Sequence, residues 1–331
     1  MSEKVLITGG AGFIGLHLAR RLLDEGCRVH LIDSFARAVR DPDLEAVIAH
    51  PEARFDQLDC LDRAAVEGLP DDFDYIFPLA AIIGVVHVMK RPYRVVLDNL
   101  NMMDHVIRLA QRQKRLKRFL YPSTSEVYAG TLEHFELPIP TPEETPLAIT
   151  DLPRPRTSYM LSKISGECLC HYADIPYTIF RPHNVYGPRM GLVHVVPGQL
   201  HKAFEAKDGD EIPVPSVDQT RCFCYIEDAL EMLIRMMQSP DCEGQTLNLG
   251  TQNPEVTIRE VARTCHEAVG RKVSIRPEPP PPGSPARRGP DMTRTIRLTG
   301  FESQVGLKEG VEKTWAWYRE HVFQNGGVSA Q

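Results

Sequence analysis

The sequence contains no apolar run long enough to cross a bilayer, since a spanning helix needs about 18 or more consecutive apolar residues. Only three residues precede the first strand-like run, KVLITGG, which leaves no room for a signal peptide. We therefore expect a cytoplasmic protein that has no membrane partner.

Basic residues are not in excess either, because the formal net charge is -6. Proteins that bind a phosphate backbone present a basic surface, so this balance argues against nucleic acid as a partner. Acidic and basic side chains together make up 25% of the chain and hydrophobic ones 42%, which is typical of a globular protein with a sizeable core.

Cysteine and histidine spacings of metal or redox sites are also absent. The closest of the eight cysteines form C-x-C pairs, Cys168 with Cys170 and Cys222 with Cys224, which suit neither a zinc site nor a redox C-x-x-C. The scattered His87, His183 and His194 are interpreted as packing residues or as part of a substrate pocket. We expect reduced cysteines and no metal.

What the sequence does contain is an alternation of short β-branched runs with amphipathic stretches. KVLITG, RVHLID, FDYIFPLA and RFLYPST are separated by helical patterns such as IGLHLARRLLDEG. This alternation predicts an α/β fold, a Rossmann-like doubly wound parallel sheet. After YTIFRPHNVYGP the periodicity becomes less regular, so we place a nucleotide-binding domain over 1–180 and a smaller substrate domain, interleaved with it, over 181–331. Residues 91–118 are predicted to form one long helix.

A glycine-rich segment, TGGAGFIG, directly follows the first strand and opens a helix. In this context glycines let backbone amides approach a pyrophosphate, which makes the segment a dinucleotide site. The residues assigned to it are Gly9, Gly12, Phe13, Ile14 and Gly15. Asp33 ends the second strand, where a carboxylate accepts from both ribose hydroxyls and repels a 2′-phosphate. NAD is therefore favoured over NADP, although Arg37 could in principle serve a phosphate.

Further strand ends supply more cofactor residues. Asp59 and Cys60 follow the third strand, where a carboxylate commonly meets adenine; a helix cap is the alternative role. The small residues of PLAAIIG can lie flat against a cofactor. The additional cofactor-binding residues are therefore Asp59, Cys60, Leu79, Ala80, Ala81 and Asn99.

The segment YMLSK places Tyr159 and Lys163 one helical turn apart. A nearby cation favours phenolate, so Lys163 is expected to lower the pKa of Tyr159 towards neutrality. The resulting base can take a proton from a sugar hydroxyl while hydride leaves the carbon. Thr124, in the strand-end segment STSEVY, would hydrogen-bond the same hydroxyl.

Together, TGGAGFIG, Asp33, STSEVY, YMLSK and RPHNVYGPRM resemble the extended short-chain dehydrogenase/reductase family, which includes nucleotide-sugar epimerases, dehydratases and decarboxylases. The resemblance covers the chain from Lys4 to about His321. It implies tightly held NAD, a nucleoside-diphosphate sugar as substrate and transient oxidation at C4 of the sugar. His183 stands where phenylalanine is more usual.

The resemblance also implies a homodimer that pairs through two long helices, expected at 92–112 and 159–172. Apolar residues of the first helix could form this interface or pack inward. They are Val95, Val96, Met102, Met103 and Val106.

The strand-end triplet Thr124, Ser125 and Glu126 bears on the type of reaction. By resemblance, a 4-epimerase has no use for Glu126, and common 4,6-dehydratases pair an aspartate with the glutamate where this chain has Ser125. The P-R-x-x-Y motif at 155–159, GPRM and QTRCFCYIED are similar to those of UDP-glucuronate decarboxylases. Decarboxylation of a UDP-sugar is the leading hypothesis, ahead of a uronate 4-epimerase, then a 4,6-dehydratase, and remotely a non-catalytic NAD-binding regulatory protein.

Three residues are assigned to the substrate. Arg221 is expected to meet the diphosphate or the leaving carboxylate, or else to form a surface ion pair with Glu227 or Asp228. Asn184 binds the diphosphate or sugar, or forms a turn. Arg288 resembles the basic residue that clamps the diphosphate, with Arg287 left open as the alternative.

Overall fold

The computed structural model describes residues 2–135, 137–149, 151–281 and 284–324, without the side chains of 85–87. The predicted packing or pocket role of His87 therefore lies outside the described residues. The strands are β1 Lys4–Thr8, β2 Arg28–Asp33, β3 Ala53–Gln57, β4 Tyr75–Pro78, β5 Arg118–Pro122, β6 Tyr177–Pro182, β7 Val185–Tyr186, β8 Glu211–Pro215, β9 Thr220–Arg221, β10 Cys224–Tyr225, β11 Thr246–Leu249, β12 Val256–Thr257, β13 Ser274–Glu278 and β14 Arg287–Arg288.

Helices follow most of these strands, as the alternating pattern predicts. They are α1 Phe13–Asp24, α2 Pro42–Ile48, α3 Arg63–Glu67, α4 Val85–Lys90, α5 Pro92–Gln111, α6 Ala129–His134, α7 Thr157–Tyr172, α8 Val195–Glu205, α9 Ile226–Gln238, α10 Ile258–Val269, α11 Thr293–Thr299 and α12 Leu307–Tyr318. A single 3₁₀ turn, Ser125–Tyr128, lies between β5 and α6.

Seven parallel strands form the central sheet in the order β11-β6-β5-β4-β1-β2-β3. The chain builds outward from β1 to β3 and then returns to place β4 on the other side of β1. Such a reversal opens a crevice at the carboxyl ends of the strands, where ligands bind in this type of sheet. The predicted doubly wound Rossmann-like fold is confirmed.

Both faces of the sheet are covered because successive strand residues point to opposite sides. On β1, Val5 and Ile7 join one core cluster while Leu6 joins the other. The first cluster is shared with α1 and α9, and the second with α5 and α7. Strands buried on both faces read as the continuous apolar runs seen in the sequence.

The second half of the chain both joins this sheet and forms a separate layer. Strand β11 is an edge strand of the seven-stranded sheet and pairs with β6. A smaller core lies between α8, β8 and α10 and includes Ala203, Ile212 and Ala262. This arrangement agrees with an interleaved second domain, while the boundary at 180 and 181 stays a prediction and 325–331 lie outside the described residues.

The helix predicted over 91–118 ends earlier, at Gln111. The basic residues that follow it form contacts across the strand ends: Arg115 pairs with the buried Asp74 at 3.0 Å and Lys117 with Glu3 at 2.8 Å. Tertiary ion pairs therefore draw this segment out of the helix and into the entry of β5.

The apolar residues of α5 face the interior. Val95, Met102, Met103 and Val106 are all less than 9% exposed, and three of them pack in the cluster with α7. Of the two roles considered for them, inward packing therefore applies to these four, whereas Val96 is partly exposed. The exposed aromatic residue of α5 is Tyr93, and that of α7 is Tyr172.

None of the helices in the described part of the chain is long and apolar enough to cross a membrane. All eight cysteines are free, and seven of them are buried. Over the same described ranges, no group of three His, Cys, Asp or Glu side chains has the arrangement of a metal site.

Candidate active site

The glycine segment between β1 and α1 forms a turn that only glycines allow. Gly9 has a φ of +68°, and a Cβ there would lie 2.8 Å from the backbone nitrogen of Ala80. A Cβ on Gly15 would lie 2.4 Å from the carbonyl oxygen of Gly9. The Gly12 N–H closes this turn by donating to the Gly9 carbonyl at 3.1 Å. Phe13 and Ile14 then stand at the N-terminus of α1, where backbone amides can bind a pyrophosphate.

The end of β2 holds this turn in place. The Asp33 carboxylate accepts from the backbone N–H of Ala11 at 3.1 Å and of Phe35 at 2.8 Å. Burial raises the pKa of Asp33, while these backbone hydrogen bonds and the charge of Arg189 oppose the rise. The carboxylate therefore lies next to the glycine turn, where the sequence places the adenosine ribose.

Arg189, in the GPRM motif, is a residue whose role sequence reasoning missed. Its guanidinium donates to the Ala11 carbonyl at 3.0 Å and to the Asp41 carboxylate at 2.7 Å. It thereby joins the glycine turn to the loop after β2. The motif was visible in the sequence, but its partner lies 178 residues away.

A small cavity opens at the ends of β1, β3 and β4. The residues around it include Thr8, Cys60, Ala80, Ala81, Asn99 and Lys163. Asn99 fixes the backbone of Ile82 by two hydrogen bonds, of 2.7 and 3.1 Å, and reaches Ser162 at 3.2 Å. Asn99 therefore lies against the segment of small residues that follows β4, which also contains Leu79.

Asp59 makes a local contact. Its carboxylate accepts from the backbone N–H of Leu61 at 2.9 Å, whereas the cap of the next helix is Asp62, which accepts from Ala65 at 3.1 Å. Asp62, and not Asp59, is therefore the helix cap. The adenine contact of Asp59 stays a prediction.

Thr124, Tyr159 and Lys163 come together as the spacing indicates. Thr124 follows β5 and hydrogen-bonds the side chain of Tyr159. The ammonium of Lys163 lies 5.9 Å from the centre of the Tyr159 ring and donates to the Pro122 carbonyl at 2.7 Å. Threonine, phenol and ammonium therefore face one another at the end of β5.

The electrostatics of Tyr159 differ from the sequence-based expectation. Burial, together with the negative charge of Glu126, raises the pKa of Tyr159, against the weaker opposing effects of Thr124 and Arg37. Burial also lowers the pKa of Lys163 to about 8. The expected pKa near neutrality was wrong, because burial and the charge of Glu126 dominate. The ammonium of Lys163, which donates to the Pro122 carbonyl, is not among the groups that lower it.

Glu126 forms the central ion pair of the site. Its carboxylate contacts the guanidinium of Arg288 at 2.5 Å, and 44% of its side chain stays exposed. The charge of Arg288 lowers the pKa of Glu126, and Arg156 and Arg221 act in the same direction. The carboxylate is therefore ionised and surrounded by positive charge.

Arg288, rather than Arg287, is the basic residue of the site. In β14 the two alternate, so that Arg287 pairs with the surface residue Glu255 at 2.6 Å. Arg288 contacts Glu126, and its expected contact with the substrate diphosphate stays a prediction.

Arg221 lies on β9, directly opposite Arg288 in β14. It donates to the carbonyls of Thr220 at 2.7 Å and Pro285 at 2.7 Å, so the alternative surface ion pair with Glu227 or Asp228 was wrong. Burial, with the charge of Arg288, lowers the pKa of Arg221 to about 10.

Asn184 takes the turn role, one of the two roles considered for it. It has a φ of +41°, which is the left-handed conformation of a turn, and its amide donates to the Cys222 carbonyl at 3.0 Å. Its side chain therefore joins β7 to the strand segment of Arg221. A contact with substrate stays a prediction.

A buried ion pair stabilises the segment that follows β5. Arg181 contacts both oxygens of Glu167, at 2.9 and 2.7 Å, and donates to the Tyr128 hydroxyl at 2.7 Å. Glu167 in turn accepts from Ser123, next to Thr124. Sequence reasoning missed this pair because its members lie in different elements.

A glycine turn that a Cβ would fill, a carboxylate at the end of β2 and a Tyr–Lys pair at the end of β5 fit one cofactor. They define the extended short-chain dehydrogenase/reductase class, whose cofactor is NAD. The model of the NAD dependent epimerase/dehydratase family matches residues 5–250, and the chain belongs to this family.

Curated relatives span nearly the whole chain. The sequence is 31% identical to a UDP-N-acetyl-alpha-D-glucosaminuronate decarboxylase of Bacillus cytotoxicus over 97% of this chain and 99% of that protein. It is 30% identical to UDP-glucuronic acid decarboxylase 2 of Arabidopsis thaliana over 99% of this chain and 71% of that protein.

Solved structures agree on the fold. A UDP-glucuronic acid 4-epimerase from Bacillus cereus in complex with NAD superimposes with a TM-score of 0.82 at 23% identity, covering 96% of this chain and 99% of that one. The NDP-hexosamine 5,6-dehydratase TunA, of tunicamycin biosynthesis, gives a TM-score of 0.80 at 26% identity, covering 97% of this chain and 99% of that one.

Proposed function

We propose that the protein is an NAD-dependent decarboxylase of a UDP-linked uronic acid, with UDP-glucuronate as the substrate to be tested first. The observation that carries this proposal is the charge around Glu126. Arg288 contacts its carboxylate, and Arg156 and Arg221 add positive charge. Three guanidinium groups exceed what one carboxylate neutralises, so the site favours a substrate with a carboxylate beside its diphosphate.

The first step is oxidation at C4 of the sugar. Thr124 and Tyr159 hold the C4 hydroxyl, and Tyr159 accepts its proton as the phenolate, which has to form against the raised pKa of the unliganded site. NAD, when bound, accepts the hydride from C4 and later returns it. Lys163 contributes a positive charge beside the phenol.

The second step breaks the bond between C5 and C6. With a ketone at C4, the C6 carboxylate is a β-keto acid, so carbon dioxide leaves and the electron pair passes to an enolate across C4 and C5. Glu126 and Arg288 would hold this carboxylate and assist the return of a proton to C5. Hydride and proton then return to C4 and its oxygen, which yields a pentose nucleotide.

The test is the product that the purified protein forms from UDP-glucuronate. We expect a UDP-pentose whose mass is lower by one carbon dioxide, with one solvent deuteron at C5 when the reaction runs in deuterium oxide. A product of unchanged mass with C4 inverted would instead establish a uronate 4-epimerase, and loss of water a dehydratase. No change of UDP-glucuronate and no absorbance at 340 nm would favour a binding protein.

Two neighbouring arginines provide a matched control for this test. Arg288→Lys shortens the side chain that reaches Glu126 and removes the planar guanidinium, so carbon dioxide release should fall by about 10-fold or more. Arg287→Lys makes the same change in the exposed pair with Glu255 and should leave the rate within about threefold.

We further propose that two subunits pair through α5 and α7, as in the helix pairing implied by family resemblance. These helices pack side by side, and each presents an exposed tyrosine, Tyr93 at 72% and Tyr172 at 82% exposure. Light scattering at micromolar concentration should give the mass of a dimer. Replacing both tyrosines by serine should shift the mass towards that of one subunit, whereas a monomeric wild type would contradict the proposal.

A further inference from the structure

Two buried polar atoms beside the Glu126–Arg288 pair have no hydrogen-bond partner among the residues that the structure describes. They are Nδ1 of His183 and Nε of Arg288. His183 is only 1% exposed. Native proteins rarely leave such atoms unpaired unless a ligand or water completes them.

The contacts of His183 fix which ring nitrogen carries the proton. Its Nε2 lies 3.0 Å from Oδ1 of Asn248. The amide nitrogen of Asn248 donates to the carbonyls of Thr141 and Asp291, both at 3.0 Å, so its Oδ1 must act as the acceptor. Nε2 of His183 is therefore the donor, and Nδ1 presents an unused lone pair.

The imidazole of His183 stays neutral, with its proton on Nε2, over the working pH range. Burial, followed by the positive charge of Arg288, lowers the pKa of His183 to about 3. The charged groups that act on it are Arg288, Arg181 and Glu126, which lie around the strand ends of the active site. The imidazole is thus a neutral, fixed hydrogen-bond acceptor next to the catalytic carboxylate.

The two unpaired atoms are complementary in character. Nε of Arg288 can only donate, and Nδ1 of His183 can only accept. The two segments also lie together: a Cβ on Gly250 would be 3.1 Å from the Cβ of His183 and 3.5 Å from the Cγ of Pro290, two residues after Arg288. A hydroxyl can accept from one and donate to the other, whereas a carboxylate can only accept.

We propose that His183 is a specificity-determining residue that, together with Nε of Arg288, holds one hydroxyl of the substrate sugar. This inference rests on the proposed function, since it takes a nucleotide sugar as the ligand. Phenylalanine, the more usual residue at this position by family resemblance, offers no acceptor. The contact is therefore a property of this chain, and it selects a sugar that presents a hydroxyl there.

Two substitutions separate this role from a structural one. His183→Gln carries an amide to the position of Nε2, so it keeps a donor for Asn248 but has no acceptor at Nδ1. His183→Asn places its amide oxygen near Nδ1 but does not reach Asn248. Both are made in the NAD-loaded Tyr159→Phe protein, in which turnover is slow, and calorimetry measures the affinity for UDP-glucuronate and for UDP.

We expect His183→Gln to weaken UDP-glucuronate by about 10-fold or more while UDP binds unchanged. His183→Asn should retain the affinity for UDP-glucuronate within about threefold but lower the melting temperature, because the contact with Asn248 is lost. Loss of sugar affinity in His183→Gln together with loss of stability alone in His183→Asn supports the proposal.

The opposing outcomes are distinct. If His183→Gln binds UDP-glucuronate as tightly as the parent protein, the role of His183 is structural and the inference is overturned, while the proposed function stands. If the parent protein binds UDP-glucuronate no more tightly than UDP, the sugar is not recognised, and both the proposed function and the inference are rejected.

Discussion

Replacing Tyr159 by phenylalanine is expected to reduce turnover by about 10² to 10⁴-fold while NAD binding stays close to that of the wild type. The substitution removes only the hydroxyl that hydrogen-bonds Thr124 and keeps the ring beside Lys163. The proton of the C4 hydroxyl then has no acceptor. Initial rates with UDP-glucuronate and calorimetry with NAD measure the two effects.

Tyr121 offers a matched control for this substitution. Its ring lies 5.1 Å from the ammonium of Lys163, and its hydroxyl donates to the Lys163 carbonyl at a long distance of 3.4 Å. Tyr121→Phe thus removes a phenolic hydroxyl beside the same lysine and should change turnover by less than about fivefold. Wild-type turnover in Tyr159→Phe would show that another group accepts the proton.

Replacing Glu126 by glutamine is expected to separate oxidation from decarboxylation. C4 should still be oxidised, so absorbance at 340 nm should accumulate with UDP-glucuronate, while carbon dioxide release slows by about 10² or more. The reason is that the neutral amide cannot move a proton and leaves Arg288 without its ionised partner. Stopped-flow absorbance and trapped carbon dioxide measure the two steps.

The same variant tests the charge coupling at the site. Glu126 raises the pKa of Tyr159, so its neutralisation should lower that pKa and move the acid limb of the pH profile for C4 oxidation to lower pH. Glu255→Gln makes the same chemical change in the pair with Arg287, whose side chain is exposed, and should leave both steps within about threefold. Full carbon dioxide release in Glu126→Gln would remove Glu126 from the mechanism, and a 4-epimerase would then explain the site better.

Local patterns predicted the parts of the site that depend on short spacing. The glycine turn follows from sterics at Gly9 and Gly15, and the pairing of Tyr159 with Lys163 follows from one turn of α7. The alternation of apolar runs predicted the parallel sheet, since strands buried on both faces must be apolar throughout. These features required no knowledge of distant residues.

Other features are decided by packing or solvation. For Met102 and Met103 the sequence left a dimer interface and inward packing open, and burial in the subunit's own core decides for inward packing. The pKa of Tyr159 was expected to be low from its neighbour Lys163, but burial and Glu126 raise it. Sequence spacing reports which groups are close in a helix and does not report how much water they lose.

The amino-acid sequence alone was enough for the fold class, the NAD turn and the pairing of Tyr159 with Lys163, because each depends on local geometry or on regular periodicity. Only the tertiary structure decided that Arg288 meets Glu126 across 162 residues and that His183 is fixed by Asn248 across 65. These contacts depend on which face of β14 turns inward and on how β11 joins the sheet. Both follow from long-range strand pairing and burial, which no short stretch of sequence encodes.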